Sequence, residues 1–217
     1  MKKRMEFFDI TNYEFFDAID GSILFPLWEQ VKEKFPFFRN PNYLGCALSH
    51  LSIYKDALDN NYERILILED DVRFNRDLHK RSRFVKSAID KGADLIHLGF
   101  IPLSDDLSQW DYNVYNENFY SDLHTFKSKN LWGLFSYSIN STLMRELVVN
   151  YYHKDFPMEL DRFFVEKIFP SKTFISIGIT PQLFAHQDNF SNNSHIIETN
   201  MLQKSIDKRY ESEMGYI

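Results

Sequence analysis

Cysteine occurs once in the 217 residues, at Cys46. An intrachain disulfide therefore cannot form, and zinc centres built on several thiolates are excluded. Long apolar runs are absent too. No stretch approaches the ~18 residues a membrane-spanning helix needs, and Met1-Lys2-Lys3-Arg4-Met5-Glu6 is followed by no apolar core of signal-peptide length. A cytoplasmic protein without a transmembrane segment is the expectation, with peripheral membrane association still open. A basic excess is missing as well: 25 Lys and Arg face 31 Asp and Glu, a net charge of −6 with a pI near 5.6. That balance argues against nucleic acid as a partner, because neutralising phosphates over a long footprint takes a basic face. Internal repeats and low-complexity linkers are lacking. One domain over residues 1–197 is expected, followed by a charged helix or tail over 198–217.

What the chain has is apolar and aromatic mass. It is 44% hydrophobic and holds 21 Phe, enough for one sizeable core and an argument against disorder away from the ends. Arg64-Ile65-Leu66-Ile67-Leu68-Glu69-Asp70-Asp71-Val72 is the most informative stretch, an apolar run leading straight into three carboxylates. Its β-branched, unbroken apolarity predicts a strand buried on both faces at the centre of a parallel sheet. Three acids at the strand's end repel one another unless a cation sits among them, and ligands of open α/β sheets bind at such ends.

Around that strand the pattern alternates. Leu48, Leu51, Tyr54 and Leu58 fall at helical spacing between Gly45 and Asn60, and a second helix is predicted over about 80–91, ending at Gly92. Arg76, Lys80, Arg81, Arg83 and Lys86 read as the solvated face of that helix. Asp94-Leu95-Ile96-His97-Leu98 is predicted as another buried strand. After an irregular acidic and aromatic segment over 104–130, a helix is predicted with its cap near Asn140 or Ser141, and another from near Pro157 presenting Leu160, Phe163, Phe164 and Ile168. Strands are predicted at Thr173–Ile177 and Gln182–Ala185. The sum is an α/β fold, a mixed sheet flanked by helices with a binding cleft along one edge.

Receiver domains of two-component signalling also hold magnesium with adjacent acids after an apolar strand. They need an acceptor Asp at the end of a later strand, where this chain has Gly99, and without a carboxylate no acyl phosphate forms. Asn42-Tyr43-Leu44-Gly45-Cys46-Ala47-Leu48-Ser49-His50, a helix length ahead of Leu68-Glu69-Asp70-Asp71-Val72, points elsewhere. Gly-Cys-x-x-Ser-His followed by Leu-Glu-Asp-Asp resembles glycosyltransferase family 25, the group of bacterial lipooligosaccharide galactosyltransferases and procollagen galactosyltransferase domains. Phe16-Asp17-Ala18-Ile19-Asp20-Gly21 is similar to that family's early Ala-x-Asp-Gly turn, and Asp94–Gly99 to its second core strand. Gly133–Ile139 is similar to its Gly-x-x-x-Tyr-x-Ile segment, and Pro157–Asp161, spaced Pro-x-x-x-Asp, to its Pro-x-Asp segment, a looser spacing that leaves Glu159 open beside Asp161. The resemblance covers residues 4–197.

The resemblance implies a GT-A-like (Rossmann-like) domain that binds a UDP-sugar and a divalent cation, usually manganese. It implies transfer of galactose, or glucose, with inversion to a saccharide or protein hydroxyl. Carboxylate oxygens suit such a cation, which offsets charge developing on the leaving diphosphate. On an extended backbone Glu69 and Asp71 point the same way and Asp70 opposite. Asp71 is accordingly the expected metal ligand, with Glu69 or Asp70 supporting it through metal or ribose contacts. His186 is a further metal candidate, because a late histidine often completes the shell in GT-A enzymes; an ordinary surface histidine is the alternative. Asp161 is the expected general base, Glu159 the alternative, and a helix N-terminal acid the bland reading. Ser49 and His50 are candidates for the donor pocket, with His50 and Cys46 four apart on one helix face. Packing of Cys46 and a hydrogen bond from Ser49 or His50 to a neighbouring loop are the alternatives. The family normally opens with an apolar strand ending in Asn-Leu-Asp before an arginine-bearing helix. Here Met1–Arg4 matches that helix, so the first strand is expected to be missing and turnover weak. A non-catalytic binding protein on a degenerate glycosyltransferase fold is the competing class, separated by whether a metal is retained.

Overall fold

A computed structural model of the protein describes residues 1–102, 125–127, 131–151, 158–179 and 182–186. Pro157, most of the 104–130 segment and the 198–217 tail lie outside these residues.

The chain opens with α1 (Lys2–Phe7), a 3-10 helix (Gly21–Leu27), α2 (Trp28–Val31) and α3 (Pro41–Asp59). Strands β1 (Arg64–Leu68) and β2 (Val72–Phe74) lead to α4 (Leu78–Asp90) and β3 (Leu95–His97). Next come β4 (Ile101–Pro102), β5 (Thr125–Lys127), β6 (Leu131–Trp132) and β7 (Ser136–Asn140). Helix α5 (Ser141–Glu146) runs on as a π-helix over Leu147–Tyr151, and α6 (Leu160–Phe163) as one over Phe164–Ile168. Strands β8 (Ser176–Ile179) and β9 (Phe184–His186) complete the series. Among the described residues no helix is long and apolar enough to cross a membrane.

Two compact units form. The first takes Met1–Asn12, Leu66–Ser138 and the chain from Ile175 onward; the second takes Tyr13–Ile65 and Ile139–Phe174. The first carries a five-stranded sheet in the order β1-β7-β3-β8-β5. Strands β3 and β8 run parallel, Leu95, Ile96 and His97 facing Ser176, Ile177 and Gly178, while β5 lies antiparallel on β8, so the sheet is mixed. Leu95, Ile96 and His97 are all buried, and they hold the middle of the sheet. The acidic strand is therefore not central: among the described strands β1 is an edge, Leu66 is 49% exposed, and Ile67 is its one buried residue. Unbroken apolarity marks the strand but not its rank in the sheet, and the shorter Leu95–His97 segment takes the centre.

Helix α4 is stopped as expected, with Gly92 in the left-handed region at φ +76°. Lys80 and Lys86 on it are solvated, whereas Arg81 departs from that face with a side chain only 15% exposed. Two strands sit later than the sequence predicts. At Thr173 and Ile175 the backbone N–H groups are taken by side chains, Thr173 N–H donating to Ser171 Oγ (3.0 Å) and Ile175 N–H to Asp94 Oδ2 (2.8 Å), and β8 begins at Ser176. Gln182 and Leu183 bond outside the β2–β9 ladder, and β9 begins at Phe184.

In the second unit α3 starts four residues ahead of the predicted Gly45. Asn40 caps it by accepting from Asn42 N–H (2.9 Å), and Pro41, which has no N–H to leave unpaired, opens its first turn. Leu44, Leu51, Tyr54 and Ala57 form the buried stripe. Asn140 caps α5 through Leu143 N–H (3.0 Å), and Leu160, Phe164 and Ile168 bury one face of α6 and its continuation.

Candidate active site

The three acids leave the strand and enter a turn. Glu69 follows β1, its N–H donating to Phe135 O (2.8 Å), and Asp70 and Asp71 form the turn into β2. Strand alternation therefore does not set where these side chains point, which corrects the extended-backbone argument for Glu69 and Asp71. Glu69 and Asp71 are half-buried and Asp70 is exposed. Asp71 Oδ1 is shut off from solvent. Arg4 on α1 donates from Nη1 to Val72 O at 2.7 Å, so a permanent cation is fastened to the residue following Asp71. Sequence reasoning did not single out Arg4 for this place; a lone arginine early in a short helix carries no signal of what it will meet 68 residues on.

A small antiparallel ladder braces this turn. Val72, Arg73 and Phe74 of β2 lie opposite His186, Ala185 and Phe184 of β9. The backbone of His186 is thus in register with the residue next to Asp71, which draws Glu69, Asp70, Asp71 and His186 into one region of the first unit. Aromatic packing holds the ladder from below: Phe74 stacks on Phe8 (5.5 Å between centroids) and meets Phe184 edge-on (4.9 Å). Register is fixed by amides. Asn75 N–H donates to Leu183 O (2.9 Å) and Asn75 Nδ2 to Gln182 O (3.4 Å). The buried Gln182 side chain accepts from Phe100 N–H (3.1 Å) and donates to Phe100 O (2.9 Å), copying the pairing of a strand residue.

The other motif residues belong to the second unit. Ser49 Oγ accepts from Ile19 N–H and donates to Gly45 O, both at 2.8 Å, which commits the hydroxyl to tying the 17–21 turn onto α3. The glycines of the two motifs make the contact close enough. A Cβ on Gly45 would lie 2.6 Å from Gly21 N and from Ile19 O, and one on Gly21 would lie 2.1 Å from Pro41 O. Asp20 finishes the turn by accepting from Ser22 N–H (2.8 Å), and hydrogen bonding to the Ser22 side chain, with that backbone bond second, holds its carboxyl below the ordinary range. Of the readings open for Ser49, the geometry carries the loop hydrogen bond. His50 is buried, its ring 6.4 Å from that of Tyr54. Asp161 is half-buried in the first turn of α6. Glu159 is buried at the helix start, its Oε1 accepting from Arg39 N–H (3.4 Å) and pairing with Arg39 Nε (3.5 Å).

A mixed sheet flanked by helices, with carboxylates gathered where a strand ends, is the layout of a GT-A-like glycosyltransferase domain. The chain belongs to glycosyltransferase family 25: the sequence model of that family, described as an LPS biosynthesis protein, matches residues 1–164. A protein of Acanthamoeba polyphaga mimivirus named as a glycosyltransferase is 31% identical over 113 residues, 50% of this chain and 35% of its own length. Procollagen galactosyltransferase 2 of Mus musculus is 33% identical over 98 residues, 38% of this chain and 15% of the relative. The mimivirus procollagen lysyl hydroxylase and glycosyltransferase is 27% identical over 198 residues, 83% of this chain and 19% of the relative. The match thus takes in about a third or less of the length of each of these relatives.

Proposed function

We propose that the chain transfers a hexose, galactose before glucose, from a UDP-sugar to a saccharide or protein hydroxyl with inversion of configuration. The observation that carries this reading is the acidic turn of a family-25 member: three carboxylates, one with an oxygen withdrawn from solvent, beside the anchored guanidinium of Arg4. The donor set fits a hard divalent cation such as manganese, with Asp71 as principal ligand and Glu69 and His186 completing the set. A cation there offsets the negative charge that builds on the departing UDP. Asp70, the exposed acid of the turn, faces the ribose. Asp161 takes the proton of the acceptor hydroxyl as the sugar carbon is attacked from the face opposite the nucleotide. Ser49 holds the turn that carries Asp20, and His50 lies buried next to it on the same helix. The name of the relative procollagen galactosyltransferase 2 favours galactose as the sugar.

Thermal unfolding with UDP, with manganese and with both tests this directly. The pair together should stabilise the protein more than either alone, with a total of about 2.7 kcal/mol at a hundredfold excess over the dissociation constant of the metal–nucleotide complex. Release of UDP from UDP-galactose and from UDP-glucose then ranks the donors. Absence of any shift with millimolar nucleoside diphosphates plus metal overturns the donor site.

A further inference from the structure

Glu159 and Asp161 stand two residues apart, yet the fold treats them differently. Glu159 is 4% exposed, and one of its oxygens accepts from the backbone N–H of Arg39 and forms an ion pair with Arg39 Nε. The Arg39 guanidinium also lies over the Tyr43 ring, 5.8 Å from its centroid, and keeps 46% of its side chain in solvent. Arg39 immediately precedes Asn40, the cap of α3; Glu159 is the cap residue of α6, its carbonyl accepting from Phe163 N–H (2.9 Å). One carboxylate therefore ties the start of α3 to the start of α6 within the second unit.

We propose that the Arg39–Glu159 pair positions Asp161, and that Glu159 itself takes no proton in the reaction. The proposal rests on Asp161 being the base in the reading above. A carboxylate this deeply buried is tolerable only when paired, and its oxygen is already engaged by two donors of one residue. Asp161 is half-buried with its helical turn pinned on both sides, by Glu159 at the cap and by buried Leu160 and Phe164. Pinning of that kind is what a proton acceptor needs, since a displacement of about 1 Å can cost about a hundredfold in rate. Arginine suits the anchor because its planar fork can bond a carboxylate while stacking on an aromatic ring.

The test uses the whole chain with UDP-galactose and manganese, comparing Glu159→Gln, Arg39→Gln and the charge swap Arg39→Glu with Glu159→Arg. UDP release gives kcat and donor KM across pH, and amide hydrogen exchange reads the turn at 161–164. Each single variant should lower kcat by roughly tenfold or more while donor KM stays within about twofold, leaving the shape of the pH profile intact. Protection at 161–164 should fall in the single variants and return in the swap together with kcat. Loss of one limb of the pH profile in Glu159→Gln would make Glu159 the base and overturn the proposal. Unchanged kcat in all variants, whatever the melting temperature, would reduce the pair to a structural contact and overturn it as well. Absence of UDP release by the parent refutes the donor reading instead. Hydrogen exchange then decides the pair alone: unaltered protection at 161–164 refutes it, and lost and swap-restored protection sustains it.

Discussion

Replacing Gly45 by alanine sets two local effects against each other. Inside a helix the change removes backbone entropy and should stabilise by up to about 1 kcal/mol. Here the new Cβ would lie 2.6 Å from both Gly21 N and Ile19 O, and 2.9 Å from Gly21 Cα, all of them backbone atoms with no rotamer to escape into. Forcing an extra carbon into a packed contact costs about 1–3 kcal/mol. If the turn backs away, the Ile19 N–H to Ser49 Oγ bond (2.8 Å) is lost as well, a further ~1 kcal/mol. The expected net is a destabilisation of about 2 kcal/mol, lowering the melting temperature by about 4–8 °C for a chain of this length. Circular dichroism melts and urea midpoints of Gly45→Ala, Ser49→Ala and the double variant would measure it. Both changes loosen one contact, so the double should cost less than the sum of the singles. A Gly45→Ala protein as stable as the parent would refute the close approach of turn and helix.

Asp71→Asn should keep the metal-free protein folded, or stabilise it slightly by easing repulsion with Glu69 and Asp70, while metal-dependent UDP binding in calorimetry falls at least tenfold. Unchanged metal affinity would remove Asp71 from the site. Asp161→Asn should abolish transfer and leave UDP affinity within about twofold, because a base acts only as the proton moves; activity within tenfold of the parent would acquit it. His97 predicts an acid limb of stability. Burial pushes its pKa from 6.5 down to about 3, so the unfolded chain takes up the proton first on acidification. The stability this neutral histidine contributes is complete above pH 6.5 and declines as pH drops toward 3, by about 2 kcal/mol between pH 7 and pH 5. Urea midpoints of His97→Gln should show a shallower slope over that interval; an equal slope would assign the limb to other groups.

The helices and the buried strand around Ile96 were readable because local chemistry and burial agree there. Gly92 takes the left-handed conformation that ends α4, Asn140 caps α5, and the α3 stripe repeats at helical spacing. Rank within the sheet was not readable, since Ile65–Leu68 and Leu95–His97 are both apolar and their places follow from distant partners. Strand β7 gives a weak signal because Ser136 and Ser138 interrupt its apolar pattern, although both are buried. The acids and His186 could be named as candidates from order along the chain, and β2 and β9 bring the backbones of Val72 and His186 opposite each other. Arg4 beside Val72 and Arg39 on Glu159 could not be named that way, because each contact joins residues far apart in sequence and neither arginine stands in a patterned position.

The clasp of Gln182 on Phe100 decides which residue of β9 lies opposite Val72. Ladders only three residues long slip easily, and a slip of one would put Ala185, not His186, opposite Val72 and turn every side chain of β9 to the other face. Gln182 and Asn75 work as a reading frame: they count residues along β9 from outside the ladder, so which residue's backbone stands opposite Val72 is decided by two amides that lie in none of the sequence motifs.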